Sequence, residues 1–363
     1  MASASNVDAG KPNSSGSVEE WHQDEAVLVT IGLDVLTNGG FVNLDDFDGI
    51  ELDLDFQSSA GRTFLKNHYN SNDPIHPIFR KFNWPDISDA DYQLIGPSLR
   101  LASRILDQPC ITPFFKGLIL KQKRWVKITP KPYHKQEMFY FTQSPCNEMD
   151  MLEVWNWFAE IGVAQCQEWR FRDVDPDTFA CTGKTGGAGP RPRTKGSFTD
   201  ISSRYLQVLR RDILASSLPG AEHNDDESAR LRTYFHLAVT LLHELCHAMR
   251  FSCFPSVKTY RSKTQMSNDI PEEPFYRDQR LAELGFAFES VLFGGDIRPL
   301  TCDVAAPFGF VVDDWPGVAE PQRQPGRATE LGYTQRGGPT KWKVRWNTEY
   351  MVPMDFIKQF FTR

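Results

Sequence analysis

The stretch ARLRTYFHLAVTLLHELCHAMRF, residues 229–251, is an unbroken run of helix formers around which the rest of the chain can be placed. It contains neither proline nor glycine, the two residues that most disfavour a helix interior. Asp225, Asp226 and Glu227 precede it, and acidic residues at the start of a helix interact favourably with the helix dipole. Apolar residues flank the central HELCH on both sides. The sequence therefore predicts a long helix that is buried beneath a cleft.

This helix carries three residues that can take part in metal chemistry: His243, Glu244 and His247. Four residues are just over one helical turn, so both imidazoles project from one face about 6 Å apart, and one Zn²⁺ can bridge them. Glu244 is turned by about 100° from His243, which suits contact with a water on the metal better than ligation. In this HExxH arrangement zinc lowers the pKa of its water to about 7 and the glutamate takes the proton. We expect His243 and His247 to bind zinc and Glu244 to act as the general base.

The motif resembles that of the zincin metallopeptidases, mainly over residues 200–290. The segment TLLHELCHAMRF, with TDISSRYL upstream as a predicted capped helix, looks most like the metal helix of SprT-like proteases. That family takes its third ligand from a downstream histidine, whereas His247 is the last of the eight histidines here. The same departure excludes the metzincin pattern. The resemblance therefore implies a carboxylate as the third ligand, as in the gluzincin branch.

Glu283 is the best candidate for that carboxylate. It lies in DQRLAELGFAFESVLFGG, a second predicted helical segment, thirty-six residues after His247. The small residues Ala282, Gly285 and Ala287 would permit this segment to approach the first helix closely. The similarity to gluzincins is incomplete, because the acid that they often carry four residues beyond the ligand is Ala287 here.

Other acids remain open as alternatives to Glu283. Glu289 lies six residues further, on nearly the opposite face of the predicted helix, so the two glutamates are not expected to bind one ion together. Glu272, Glu273 and Asp278 are poorer rivals, the first two because flanking prolines place them in a loop. Glu283 could also be an ordinary exposed or salt-bridged glutamate.

Three further kinds of residue could support the motif or its chemistry. His236 lies on the same stripe as His243 but about 10 Å along the axis, so a supporting or core role is expected. Cys246 faces away from the histidines and is expected in the core. Three tyrosines could donate to the oxyanion that forms when water attacks a carbonyl, and the sequence does not choose among them: Tyr276, Tyr333 and Tyr350.

Elsewhere the pattern predicts both helices and strands. Helices are expected at about 90–107 (with a kink at Pro97), at 148–163, at 200–215 (capped by Thr199 or Asp200) and at 352–361. Strands are expected at 137–143, 168–174 and 341–346, and a long glycine-rich loop at 181–196. The expected fold class is α+β: a zincin-like fold with a small mixed sheet and the HExxH helix at the floor of a cleft.

Composition limits the partners. The 363 residues are 40% hydrophobic and 24% charged, which excludes a wholly disordered, collagenous or coiled-coil chain. The net charge of -7 makes nucleic acid an unlikely partner, and no apolar run approaches the roughly 18 residues of a membrane span. Seven scattered cysteines without a framework indicate reduced thiols and a cytoplasmic protein.

Three regions follow along the chain. Residues 1–20 are polar and small and are expected to form a disordered tail. Residues 21–61 form an acidic arm, since no Lys or Arg occurs from 12 to 61. Residues 62–363 are expected to be a zincin-like catalytic domain with its metal-site core at about 200–295.

The expected function is zinc-dependent hydrolysis of amide bonds in peptides or proteins by metal-activated water. One alternative keeps the zinc but acts on a small-molecule amide or ester in a metabolic pathway. Another is a non-catalytic module in which zinc clamps two helices.

Overall fold

The computed structural model describes residues 75–119, 140–141, 143, 145–163, 167–175, 178–188, 195–219, 221–222, 224–253, 257–262, 265–269, 273, 275–276, 283–300, 303–313 and 349–361. The expected tail at 1–20, acidic arm at 21–61 and strand at 341–346 lie outside these residues. So do Glu272, Asp278 and Tyr333.

The described residues contain eight α-helices: α1 (Asp89–Leu94), α2 (Gly96–Leu106), α3 (Thr112–Ile119), α4 (Glu148–Val163), α5 (Arg204–Leu209), α6 (Asp226–Cys253), α7 (Leu284–Phe293) and α8 (Met354–Gln359). Ten strands accompany them: β1 (Tyr140–Phe141), β2 (Gln167–Arg172), β3 (Ala180–Ala188), β4 (Lys195–Ser202), β5 (Val257–Ser262), β6 (Gln265–Asp269), β7 (Phe275–Tyr276), β8 (Asp296–Pro299), β9 (Phe310–Asp313) and β10 (Glu349–Val352). The expected α+β class is therefore confirmed.

The strands form small sheets. In the first, β4 lies between β2 and β3 and pairs parallel with β2 and antiparallel with β3, so this sheet is mixed. In the second, β9 lies between β8 and β10 and all pairs are antiparallel. The strands β1 and β7 form a short parallel pair, and β5 with β6 forms an antiparallel pair.

Helix α6 runs through the hydrophobic core and organises the elements around it. It packs against α2, α5, α7 and α8 and against the strands β3 and β4. Leu237, Ala238, Leu241 and Leu245 are fully buried along it. A helix that is enclosed on nearly every side can carry buried residues on several of its faces, as α6 does over 229–251. No helix among the described residues is long and apolar enough to cross a membrane.

The predictions for α4, β2 and the long helix are confirmed, but the helix predicted at 90–107 is two helices. It is interrupted at Ile95, and Pro97 occupies the second position of α2. Proline is tolerated there because the first amides of a helix have no partner within it.

The helix predicted at 200–215 is wrong at its start. The strand β4 continues to Ser202, and only Arg204–Leu209 is helical. The capping role given to Thr199 or Asp200 is wrong as well. The Thr199 hydroxyl accepts from Gln167 at 2.8 Å, and Asp200 pairs with Arg170 on β2 at 2.8 Å. These cross-strand contacts outweigh the local capping pattern.

The loop predicted at 181–196 is wrong over 181–188, which belong to β3, and over 195–196, which belong to β4. Gly183 has a packing reason that composition alone does not reveal. A Cβ at Gly183 would lie 2.6 Å from the ring of Phe198, the residue opposite it on β4. Glycine therefore lets the aromatic ring lie across the strand.

Candidate metal centre

Three side chains meet where α7 begins against the middle of α6. His243 and His247 lie one turn apart on α6, and Glu283 immediately precedes α7. One ligand atom from each of the three lies within 4.8 Å of the other two. The Oε1 of Glu283 is 3.5 Å from Nε2 of His243 and 2.5 Å from Nε2 of His247. These residues form a group that could hold a metal ion.

The sequence predicts Glu283 inside a helical segment. In the structure it is instead the N-cap residue of α7. Its backbone is extended, with φ -138° and ψ 107°. Its Oε2 accepts a hydrogen bond from the amide of Phe286 at 2.5 Å. Because the helix start holds one carboxylate oxygen, the other is left directed at the two imidazoles.

Each imidazole is also held from behind by a carboxylate. Nδ1 of His243 lies 2.6 Å from Oε1 of Glu289, and Nδ1 of His247 lies 2.6 Å from Oε1 of Glu273. An ionised carboxylate can only accept, so Nδ1 carries a proton in both rings, and a metal that displaces the second proton of each ring can bind at Nε2. Both Nε2 atoms face Glu283.

Gly285 makes the approach of the two helices possible. A Cβ at this position would lie 2.3 Å from both Nε2 and Cδ2 of His243, far inside van der Waals contact. The neighbouring Phe286 ring packs against His243 with its centroid 5.0 Å away. The imidazole therefore lies in a space that exists only because residue 285 has no side chain.

The donor set fits a divalent metal. Among the described residues, the buried Nε2 of His247 and Oε1 of Glu283 have no hydrogen-bond partner of acceptable geometry, although they are close together. Tetrahedral ligands about 2.0 Å from one ion are separated by about 3.3 Å, so the 3.5 Å pair fits and the 2.5 Å pair would have to part by about 1 Å. Two imidazoles and one carboxylate suit first-row metals such as zinc.

The electrostatics keep the carboxylate in the form that binds a metal. Burial would raise the pKa of Glu283, but His247 and His243 hold it well below its usual range. Burial would lower the pKa of His247, but Glu283 and Glu273 raise it to about 10. Burial would likewise lower the pKa of His243, and Glu283 and Glu289 hold it well above its usual value. A metal ion must therefore displace protons to bind both histidines.

Glu244, the expected general base, is buried next to His243 on α6 and only 5% exposed. Its backbone carbonyl accepts from the Thr182 hydroxyl of β3 at 3.4 Å. Its Oε2 is buried without a hydrogen-bond partner among the described residues. Burying a carboxylate oxygen that has no hydrogen-bond partner costs free energy unless another group binds to it. This condition is consistent with a catalytic role.

His236 and Cys246 lie in the buried core. His236 is buried, lies 3.1 Å from the Tyr205 hydroxyl through Nδ1 and packs on Phe179, so it belongs to the core. Burial lowers its pKa to about 3. Cys246 is fully buried, as expected.

Two tyrosines considered as oxyanion donors lie within the described residues. Tyr276 is buried in β7, with its ring 5.2 Å from that of Phe114 and 5.1 Å from that of Phe141. Tyr350 is 61% exposed on β10. Neither position identifies an oxyanion donor.

Sequence reasoning missed what Glu273 and Glu289 do. Both were considered only as rival ligands, whereas they contact the Nδ1 atoms of the two histidines. For Glu289 a signal existed, since the sequence places it on a different face of the same predicted helical segment as Glu283. For Glu273 the sequence carries no signal, because its position depends on the path of a non-helical segment.

No protein-family model matches the chain, and no curated protein or solved structure is significantly similar to it. Its function must therefore be inferred from the geometry around His243, His247 and Glu283.

Proposed function

We propose that the chain is a zinc-dependent hydrolase that cleaves amide bonds in peptides or proteins, with a zincin-like fold and a gluzincin-like third ligand. The observation that carries the proposal is the convergence of two imidazoles and one carboxylate, with a buried glutamate next to His243 in the chain. His243, His247 and Glu283 would hold the ion. Glu244 supplies a carboxylate oxygen that has no protein partner among the described residues.

A zinc ion held by these three ligands would polarise a carbonyl oxygen and lower the pKa of a water molecule to about 7. Glu244 would accept the proton of the attacking water and later donate it to the leaving nitrogen. Glu289 and Glu273 would keep the imidazole protons on Nδ1, which leaves both Nε2 atoms directed at Glu283.

The first test is metal content. We expect about one equivalent of zinc per chain, because three protein ligands with one open position match a catalytic rather than a closed structural site. His243→Ala and His247→Ala should each remove most of it after dialysis against a mild chelator, as measured by atomic emission. Full retention of zinc in both variants would refute the site.

The second test separates catalysis from metal binding. Glu244→Gln preserves size but cannot take up a proton, so turnover of a peptide library should fall by at least about 100-fold. Zinc content and melting temperature should stay close to those of the wild type. Unchanged turnover would remove Glu244 from the chemistry. A wild-type chain that binds zinc but hydrolyses neither peptides nor small amides and esters would instead be a zinc-clamped module.

A further inference from the structure

The three carboxylates around the histidines share a second property. Each directs one oxygen at an imidazole and uses the other to accept a main-chain amide. Glu283 accepts from Phe286 at 2.5 Å, Glu273 accepts from Leu284 at 3.0 Å, and Glu289 accepts from Ile297 at 2.7 Å.

The amides concerned lie at the two ends of one segment. Leu284 and Phe286 belong to the first turn of α7, where amides have no partner within the helix. Ile297 belongs to β8, the strand that follows α7. Residues 284–297 are therefore attached at both ends to carboxylates that face the histidines of α6.

Apart from Glu289 itself, the middle and the last residue of α7 are held by apolar contacts. The Phe288 ring packs at 5.6 Å from the ring of Phe114 and at 5.3 Å from that of Phe115. The Phe293 ring packs at 5.9 Å from that of Phe235. These apolar contacts need no metal, so the ends and the middle of the segment should respond differently to its removal.

A cation matters to the ends because the three carboxylates are buried together. Their side chains are 12% exposed in Glu283, 8% in Glu273 and 5% in Glu289. Like charges at close range in a buried site oppose one another. Without a metal, protons on the two imidazoles offset part of this repulsion. A divalent ion bound to both Nε2 atoms and to Oε1 of Glu283 would replace those protons and also fix the two rings and Glu283 in one orientation, so that all three bridges tighten at once.

We propose that metal binding secures the first turn of α7 and the start of β8, with Glu273, Glu283 and Glu289 as the connections between the ion and the main chain. This rests on the metal centre of the proposed function but not on hydrolysis. The ion would act on the fold of residues 284–297 as well as on the reaction.

A glutamine in place of Glu289 would test one connection directly. Nδ1–H of His243 and N–H of Ile297 are both donors, and a carboxylate accepts from both. An amide has only one accepting atom, so it satisfies one donor and presents its own N–H to the other. Either the Ile297 amide is released or the proton of His243 moves to Nε2, where it blocks the metal.

Hydrogen exchange of the full chain, read at single amides with Zn²⁺ and again after dialysis against a chelator, tests the proposal. We expect exchange at Leu284, Phe286 and Ile297 to be at least about tenfold faster without zinc. Amides in the middle of α7 and in β4 should change little. Equal exchange in the two states would overturn the proposal, and so would uniform acceleration that includes β4, since that is global destabilisation.

Variants supply the matched comparison. Glu289→Gln should speed exchange at Ile297 in the presence of Zn²⁺ or weaken zinc by about 10- to 100-fold. Glu153→Gln, at an exposed position on α4, should do neither. If Glu289→Gln does not fold, the wild-type comparison decides alone. Zinc-dependent exchange in a chain without hydrolytic activity would refute the proposed function and support this inference. Zinc-dependent hydrolysis without zinc-dependent exchange would support the proposed function and refute this inference. Absence of zinc binding would refute both.

Discussion

At the scale of single residues, the candidate metal centre depends on an absent side chain as much as on its candidate ligands. Gly285 lies where α7 meets the ring of His243, and that ring is held at Nδ1 by Glu289. The ring cannot move aside without losing this hydrogen bond. A methyl group at residue 285 would therefore act directly on the orientation of a ligand.

Gly285→Ala gives a test whose sign is informative. In an unobstructed helix, alanine would stabilise the chain by up to about 1 kcal/mol relative to glycine. Here a Cβ 2.3 Å from Nε2 and Cδ2 of His243 should instead lower the free energy of unfolding by about 1 to 3 kcal/mol and weaken zinc at least about tenfold. Urea unfolding and a zinc titration measure the two effects. Gly96→Ala is the matched control, because its Cβ would meet only the movable end of Arg100 at 3.1 Å. A more stable Gly285→Ala variant with full zinc affinity would contradict the close approach.

At the scale of elements, Glu283 connects a ligand position to a helix end. Its two oxygens do separate things, since Oε2 caps α7 and Oε1 faces the imidazoles. Substitutions can separate these functions because a neutral amide can cap a helix but binds zinc poorly.

Glu283→Gln and Glu283→Ala should each lower zinc affinity by at least about 100-fold, and both lose the charge that faces the histidines. In the metal-free form Glu283→Ala should be less stable than Glu283→Gln by about 1 kcal/mol, because only the glutamine oxygen can still accept from Phe286. Isothermal titration with zinc and thermal unfolding in chelator measure the two effects. Tight zinc binding by both variants would show that the third ligand is another residue. Glu289→Gln was expected from sequence to leave zinc unaffected, but the contact with His243 now predicts weaker binding.

Some of these elements and contacts could be predicted from the sequence and others could not. The helix α6 and its two histidines could be predicted because helical spacing alone places residues 243 and 247 on one face. Glu283 could be proposed as a ligand because small residues lie on both sides of it in the sequence. The bridges of Glu273 and Glu289 could not be predicted, because they depend on how separate segments pack. The strand β3 was missed because Gly183 fits the ring of Phe198, a contact between strands rather than a local preference.

At the scale of the whole molecule, stability should depend on a carboxylate outside the metal centre. Asp107 follows the last residue of α2 and is only 7% exposed. Neither of its carboxylate oxygens has a hydrogen-bond partner among the described residues. A negative charge is also disfavoured at the C-terminal end of a helix. Burial raises the pKa of Asp107 from 3.8 to about 8.

The pH dependence of folding should reveal this residue. The pKa of Asp107 is higher in the folded chain than in the unfolded one. Below about pH 4 the group is protonated in both states and does not lower the free energy of unfolding. That free energy falls as the pH rises from about 4 to 8, where the folded form also ionises. At about 1.4 kcal/mol per pKa unit, the cost at pH 7 is at most about 4 kcal/mol. Asp107→Asn removes the charge, so urea unfolding should show it more stable than the wild type by about 2 kcal/mol or more at pH 8 and by little at pH 4. Asp89→Asn, whose side chain is 92% exposed, is the control and should follow the wild type across the range. Wild-type and Asp107→Asn curves that run parallel from pH 4 to pH 8 would show that Asp107 is already ionised in the folded chain.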